Sequence, residues 1–324
     1  MSEIHVQAPG LLTTVQDLGR EGFGPLGVSP SGAADAISLR IGNRLVGNAE
    51  GAAALEMTLL GGTFVFPQGA VFALTGSDFG ATLDEAPVQL WASCVARPSQ
   101  LLRVGPTRSG ARCYLCVHGG IAVPLFLGGA ATHLLSGLGG HEGRGLRKGD
   151  VLQIGPTNTP FRKRTLSPHA RERLSPRKVL RVTPGPQHEW FSDAARRAFL
   201  SSTYCVTEES NRMGLRLEGP AISSASAGDT STNDGNTGEM ITEGVALGAV
   251  QITAAGLPII LFVEQQTTGG YAKLANVISA DFHSLGQLRP RDEIRFEQIA
   301  WDTARSLLIE QEELLSSLDL ILES

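Results

Sequence analysis

Apolar residues in this chain come mostly in short runs divided by glycine, proline and aspartate. From Gly51 onward the runs AALEMTLL, GTFVFP, VFALTG, ATLDEAPVQLWAS and SQLLRVG follow one another. Turn signals recur about every ten residues, the pattern of a barrel or sandwich of short strands. CYLCVHGGI continues the series, and LRKGDVLQIG reads as the closing strand of a domain. A second series starts at VLRVTPGPQ and runs through YCVTEES, MGLRLEG, GAVQIT and PIILFVE. Helical spacing occurs in three places. Asp35 to Val46 has Ile37, Ile41 and Leu45 on one face. EWFSDAARRAFLSS places Trp190, Ala194 and Ala198 together, and the tail from Trp301 has a stripe of Leu307, Leu308, Leu314 and Leu315. Residues 1 to 35 are Gly-rich and polar.

The two series of strands echo each other. Leu146-Arg147-x-x-Asp150-x-Leu152-x-Ile154 matches Leu288-Arg289-x-x-Asp292-x-Ile294-x-Phe296. Upstream of each, an apolar strand leads to a glycine pair, Gly119-Gly120 and Gly269-Gly270. Further upstream, Gly80-x-x-Leu83 and Pro87 correspond to Gly214-x-x-Leu217 and Pro220. Matches that keep chain order suggest one β-fold used twice. The predicted organisation is a first domain over 1–156, a linker over 157–178 and a second domain over 179–324. The linker contains Pro160, Pro168 and Pro176 among basic residues with little apolar content. Ser223 to Gly238 is almost entirely Ser, Thr, Asn, Asp, Gly and Ala, which cannot bury a core and reads as a mobile loop.

Composition supports this picture. The 324 residues include 39 glycines, and only 18% are charged, which suits tight turns between strands better than a helical bundle. The net charge is −5, and Arg162 to Arg181 is the one basic-rich stretch. The electrostatic footprint of a nucleic-acid binder is therefore missing. The start, MSEIHVQAPG, lacks the charged region and apolar run of a signal peptide. No stretch of about 18 apolar residues predicts a membrane span. A cytoplasmic protein is the expectation. Cys113 and Cys116 form a CxxC, but within a strand residues three apart face opposite sides. No second pair completes a zinc site, and the seven histidines show no ligand spacing. Buried structural thiols are the expected reading.

Three segments carry candidate chemistry. In Gly10 to Asp35, Thr13, Thr14, Gln16, Asp17, Arg20, Ser29, Ser31 and Asp35 crowd a glycine-rich stretch. Arg20 has the fork geometry for a carboxylate or phosphate, and Asp17 or Asp35 is a candidate base. The same stretch also reads as a surface loop whose aspartates cap turns, with Asp35 as N-cap of the following helix. The second segment, Asn211-Arg212-Met213-Gly214-Leu215-Arg216, suits an anion through its two arginines, or is a hairpin turn with solvated arginines. The third, Glu264-Gln265-Gln266-Thr267-Thr268-Gly269-Gly270-Tyr271-Ala272-Lys273, follows an apolar strand directly. Loops at the end of a rigid strand commonly carry binding groups. Two hydroxyls, glycine amides and Lys273 offer an oxyanion or phosphate cradle. It is not a Walker A loop, and a tight turn with threonines at its corners is the other reading. No GxSxG elbow is present for Ser-His-Asp catalysis.

Taken together, PGLLTTVQDLGREGFGPLGVSPSGAAD, ALEMTLLGGTFVF, LTGSD, CYLCVHGGI, SNRMGLRLEGP, EGVALGAVQI and EQQTTGGYAKLANVISAD resemble the KipA family. This family is also called allophanate hydrolase subunit 2, or biotin-dependent carboxyltransferase-like. The resemblance covers nearly the whole chain. It implies a mostly β fold of two cyclophilin-like β-barrel domains related by internal duplication, with a few short helices and a C-terminal helix. Family members include the C subunit of bacterial ATP-dependent 5-oxoprolinase. The implied activity is the opening of 5-oxo-L-proline to L-glutamate with ATP hydrolysis, by this chain together with a KipI-like B subunit and an A subunit. ATP is then a requirement of the complex. No metal-ligand motif is present, and no biotinyl-lysine segment or ATP-grasp module, so this chain carries no covalent biotin. The partners expected are those subunits and a small-molecule substrate, with neither nucleic acid nor membrane.

On that reading, Asp17, Arg20, Thr267 and Thr268 are the expected catalytic residues. Gln16, Asp35, Asn211, Arg212, Arg216, Gln266, Gly269, Gly270, Tyr271 and Lys273 are the expected substrate- or anion-binding residues, with Glu264 a second candidate acid or base. The resemblance leaves two alternatives. One is the carboxyltransferase half of a biotin-dependent urea or amide carboxylase. The other is a non-enzymatic binder of a KipI-like kinase inhibitor. The chain departs from the family pattern in three places, one of them the long loop from Ser223 to Gly238. A run usually like LGSRST reads Leu127-Gly128-Gly129-Ala130-Ala131-Thr132, and a PGD before the last strand reads Pro290-Arg291-Asp292.

Overall fold

A computed structural model describes residues 2–157, 160–223 and 240–323. The Ser223–Gly238 loop falls outside those residues except for Ser223 itself. The chain divides into two compact units. The first comprises Met1–Arg20, Ser31–Ser175 and Glu312–Ser324, and the second Glu21–Pro30 and Pro176–Gln311. Mostly β structure with a few helices runs through both.

The first unit contains two main sheets. One takes its strands in the spatial order Ile121–Ala122, Val151–Ile154, Glu3–Ala8, Thr63–Phe66, Gln100–Arg103, Thr82–Leu83 and Ala86–Pro87. The other runs Leu12–Gln16, Ala54–Thr58, Arg112–Val117, Ala70–Gly76 and Ser93–Ala96, antiparallel throughout. Period-two alternation builds the core. Ile4, Val6, Phe64, Phe66 and Leu102 from one sheet cluster with Leu55, Leu74, Cys113, Leu115 and Val117 from the other. The opposite faces of the same strands send Ala73, Tyr114 and Cys116 to the helix Ala36–Leu45, through its Ile37, Leu39, Ile41 and Leu45. Cys113 and Cys116 are thus free thiols in two different apolar clusters, and burial pushes both thiols up.

Three expectations need correction here. Residues 1 to 35 supply two strands, Glu3–Ala8 and Leu12–Gln16, because Ile4 and Val6 alternate inward and the β-branched Thr13, Thr14 and Val15 pair along Ala54–Thr58. The stretch 157–178 is not a bare linker. Arg164–Leu166 pairs with the C-terminal strand Ile321–Glu323, and the helix Pro168–Arg173, capped by Ser167, buries Ala170. The predicted tail helix stops at Ser316, since the chain turns at Ser317 into a short 3-10 segment and that strand. Glu312 clamps Arg40 through two contacts of 2.7 and 2.8 Å, and Leu315 and Leu320 join the helix cluster.

In the second unit seven strands close into a barrel. Their order is Val179–Pro184, Ala272–Val277, Ala249–Ile252, Pro258–Leu261, Gly214–Glu218, Tyr204–Val206 and Glu293–Gln298, the last running parallel to the first. Phe199 stacks on Phe296 with centroids 4.4 Å apart, and Tyr204 lies tilted against both at 6.0 and 5.8 Å. The helix here is Asp193–Ser201, capped by the side chain of Ser192. That start places Ala195 and Phe199 inward and leaves Trp190 44% exposed, so the buried face is not the predicted Trp190–Ala194–Ala198 face. A two-stranded ribbon, Glu243–Gly244 with Thr268–Gly269, completes the unit.

The Leu-Arg-x-x-Asp echo has the same hydrogen bonding in each unit. In the first, Arg147 N–H donates to Asp150 Oδ2 at 2.7 Å, Gly149 N–H to Val6 O at 2.8 Å, and Val6 N–H to Asp150 O at 2.9 Å. In the second, Arg289 N–H donates to Asp292 Oδ2 at 2.7 Å, Arg291 N–H to Val206 O at 2.7 Å, and Val206 N–H to Asp292 O at 2.9 Å. The glycine pairs differ: Gly119 and Gly120 are left-handed, whereas Gly269 lies in a ribbon strand.

Candidate functional site

Each unit holds its own cluster of candidate residues. In the first, the strand Leu12–Gln16 ends in a knot of polar side chains gripping backbone. The Asp17 carboxylate accepts from Gly19 N–H at 2.7 Å through one oxygen and from Ala130 N–H at 2.6 Å through the other. Its backbone carbonyl accepts from Ala33 N–H at 2.8 Å. Arg20 is 2% exposed, and its guanidinium donates to the carbonyls of Phe126 and Ala131 and lies 5.4 Å from the Phe126 ring centre. Gln16 Nε2 donates to Thr14 Oγ1 and to Thr132 O, both at 3.1 Å, and Ser31 Oγ donates to Thr132 O at 2.9 Å. The glycine-rich loop permits this. A Cβ at Gly139, where φ is +66°, would stand 2.2 Å from Ala131 O and 2.8 Å from a terminal nitrogen of Arg20.

This geometry explains why the Leu127–Thr132 run tolerates its departure from the family pattern. Ala130 contributes its N–H, Ala131 its carbonyl, and Thr132 its carbonyl besides an Oγ1 hydrogen bond to Val15 O. Asp35 caps the helix Ala36–Leu45: its carboxylate accepts from Ser38 N–H at 3.0 Å and from Ser38 Oγ at 2.5 Å. Beside it lies a network the sequence reading missed. Glu56 accepts from Tyr114 Oη–H at 2.7 Å and from Ala34 N–H at 2.8 Å, and Asp35 N–H donates to Tyr114 Oη. Burial, with the nearby carboxylates Glu56 and Asp35, pushes the Tyr114 hydroxyl well above its ordinary value. The signal was present in the sequence as a charged residue inside the apolar run ALEMT.

In the second unit the arginines of Asn211–Arg216 part company. Arg212 is buried and pairs with buried Glu264, Nε to Oε1 at 2.5 Å, while Glu264 N–H donates to Arg212 O at 2.8 Å. Arg216 lies on the exposed side of its strand, and the Asn211 side chain closes a turn by accepting from Met213 N–H at 2.8 Å.

The QTTGGY segment forms the ribbon. Gln266, Thr268, Gly270 and Tyr271 are exposed, Thr267 is half-buried and Gly269 is buried. Lys273 has only 3% of its side chain exposed; its Nζ lies 2.6 Å from Glu243 Oε1 and 3.3 Å from Tyr271 O. Glu243 also accepts from Gln187 Nε2 at 2.8 Å, and Lys273 N–H donates to Gln187 Oε1 at 3.1 Å. Hydrogen bonds from Lys273 and Gln187 hold the Glu243 carboxyl below its usual range. Gln187, Glu243 and Gln251 were missed by the sequence reading. Gln251 alone had a signal, as a polar residue inside GAVQIT.

The chain's mostly β fold and its ordered motifs agree with one family. The family described as "Carboxyltransferase domain, subdomain A and B" matches residues 26–298. The chain belongs to it. Among curated relatives, the 5-oxoprolinase C subunit of Escherichia coli (strain K12) is 38% identical over 91% of this chain and 91% of its own length. The 5-oxoprolinase C subunit of Haemophilus influenzae is 35% identical over 91% of this chain and 90% of its own length. The crystal structure of the K. lactis urea amidolyase matches 99% of this chain with a TM-score of 0.87 and 31% identity. This chain spans only 21% of that much longer protein. Among the described residues, no helix is long and apolar enough to cross a membrane.

Proposed function

We propose that this chain is the C subunit of an ATP-dependent 5-oxoprolinase, acting with a KipI-like B subunit and an A subunit to open 5-oxo-L-proline to L-glutamate. The observation that carries the reading is the 35% and 38% identity to two proteins of that name, over nine-tenths of the length on both sides. The chemistry has a clear requirement. A lactam carbonyl is a poor electrophile; transfer of the terminal phosphoryl group from ATP to its oxygen activates the ring carbon, water adds there, the ring C–N bond breaks as the nitrogen takes a proton, and a second water releases phosphate to leave ADP and L-glutamate. Such a step calls for donors aimed at developing oxyanions. In this chain the ribbon fits that part best, through the Thr267 and Thr268 hydroxyls and Gln266, beside the Lys273–Glu243 ion pair. Arg20, Asp17 and Arg212 serve by holding their own loops, since intramolecular partners engage each of them. The reading carries a cytoplasmic location, where ATP is available. It also carries the descent of the two units from one duplicated barrel, which the matching Asp150 and Asp292 turns support.

The test is reconstitution. The mixture of purified A and B subunits with this chain is expected to release ADP and L-glutamate from ATP and 5-oxo-L-proline. Omitting this chain is expected to abolish both products; unchanged release without it would refute the reading. A second reading, the carboxyltransferase half of a biotin-dependent urea or amide carboxylase, is favoured by one observation. The urea amidolyase match covers 99% of this chain, against 91% for the two 5-oxoprolinase relatives. It predicts that this chain captures a biotinylated carrier protein and supports urea-dependent carboxyl transfer. Absence of both rejects it.

A further inference from the structure

Two ion pairs of the second unit differ in where they carry their charge. Arg212 and Glu264 are both buried, with 6% and 3% of their side chains exposed. Lys273 is as buried, at 3%, but its carboxylate partner Glu243 is 44% exposed. This second pair therefore ends at the surface, on the ribbon formed by Glu243–Gly244 and Thr268–Gly269. The direction of the Glu243 side chain is fixed from beneath. Lys273 N–H donates to Gln187 Oε1 at 3.1 Å, which turns Gln187 Nε2 toward Glu243 Oε1 at 2.8 Å, and Lys273 Nζ lies 2.6 Å from that same oxygen. Both holding groups engage one oxygen, and among the described residues no hydrogen bond reaches the other, Oε2. A carboxylate gripped at one oxygen by buried groups presents the other as an oriented acceptor. Glu243 is also the only acidic residue in the ribbon segments 240–244 and 266–271. It is the one side chain there that accepts without donating. A five-membered lactam has its carbonyl oxygen and its N–H on the same edge of the ring, so a site for it needs an acceptor next to donors. The ribbon sets Glu243 beside the strand of Thr268 in that way.

We propose that Glu243 Oε2 accepts the ring N–H of a lactam substrate. The contact rests on the 5-oxoprolinase reading for the identity of that substrate, 5-oxo-L-proline. Its chemical use follows from the first step of that reaction. As the bond from the lactam oxygen to the terminal phosphorus of ATP forms, the bond from that phosphorus to ADP breaks and ADP keeps the electron pair. Positive charge then develops at the ring nitrogen, which retains its proton, and an ionised carboxylate facing the N–H favours that charge. Lys273 and Gln187 act as positioning residues, since they touch Glu243 and hold it in place.

The experiment uses the assembled three-subunit enzyme and two ring acids of one shape. One is 5-oxo-L-proline, and the other is the corresponding lactone, with a ring oxygen in place of the N–H, measured as a competitive inhibitor. Wild type is expected to prefer the lactam about tenfold or more, the size of one hydrogen bond to a charged group, because the lactone turns a lone pair toward the carboxylate. Glu243→Gln keeps the size and an acceptor for Lys273, but its amide N–H can turn toward the ring oxygen. It is expected to raise KM for the lactam and to tighten inhibition by the lactone, so that the preference shrinks about tenfold. A purely structural Glu243 changes both ligands alike. No lactam preference in wild type, or an equal preference in wild type and Glu243→Gln, overturns the contact and leaves the 5-oxoprolinase reading intact; a lactone that inhibits neither enzyme counts as equal. If Glu243→Gln fails to assemble, Gln187→Met decides in its place, since it loosens the carboxylate without removing it. A reduced preference there supports the contact, and an unchanged one overturns it. A wild-type complex that does not turn over 5-oxo-L-proline overturns the 5-oxoprolinase reading, and the contact falls with it.

Discussion

Arg212 and Glu264 face each other at 2.5 Å, each with no more than 6% of its side chain exposed, and a backbone hydrogen bond from Glu264 N–H to Arg212 O closes the same pair. The ion pair thereby anchors the start of the ribbon segment to the Asn211–Gly214 turn within the second unit. Removing one partner breaks a buried ion pair, which costs about 3–5 kcal/mol. Glu264→Leu and Arg212→Met are each expected to lower the denaturation midpoint strongly in scanning calorimetry. The double substitution is expected to recover most of the loss, because the buried pair is then replaced whole by apolar side chains. Additive losses would contradict this account.

Asp17 holds two backbone amides more than a hundred residues apart in sequence, at Gly19 and Ala130. Asp17→Ala leaves both donors without an acceptor and is expected to destabilise the first unit by about 1–3 kcal/mol. The loop around Ala130 is expected to become the earliest site of cleavage in limited proteolysis. Asp17→Asn keeps one acceptor oxygen and is expected to fall between the two.

Asp150 supplies a pH dependence. Hydrogen bonds from Arg144 at 2.8 and 3.0 Å, helped by Arg147 N–H, hold its carboxyl down at about 2, from an ordinary 3.8. A folded-state value below the unfolded one means that the unfolded chain binds more protons in this window. The stability contributed by Asp150 is therefore complete above 3.8 and is lost as the pH falls toward about 2. The gap in denaturation midpoint between wild type and Asp150→Asn is expected to be widest near neutrality and to narrow through that interval. A gap that widens on acidification would overturn the assignment.

Arg291 stands in the left-handed region with φ of +71°, where its counterpart Gly149 has φ of +91°. An L side chain there costs about 1–2 kcal/mol, and the exposed Arg291–Glu208 pair returns little of it. Arg291→Gly is expected to raise the denaturation midpoint, and Gly149→Ala to lower it. Both are read by urea or thermal unfolding of the full chain.

Much of the fold was legible in local pattern. The helix from Asp35 was marked by its cap and by Ile37, Ile41 and Leu45, and the strand of Cys113 and Cys116 by an unbroken apolar run. The Arg147–Asp150 and Arg289–Asp292 turns were recognised by spacing, and they form the same hydrogen bonds. The strands within residues 1 to 35 were not legible, because Thr13, Thr14 and Gln16 are polar and become buried only through pairing with distant Ala54–Thr58. The strand Arg164–Leu166 was hidden for the same reason, since its partner lies at the far end of the chain.

The sequence by itself determined the elements whose cause is local: periodicity, caps and turn residues act over a few positions, and the ordered motifs carried the family. Only the tertiary structure decided what the polar residues do. Asp17, Arg20 and Arg212 read equally well as ligand groups or as structural ones until their partners, Ala130, Ala131 and Glu264, came within reach. Long-range pairing decides which buried polar groups are satisfied, and no local pattern carries that information.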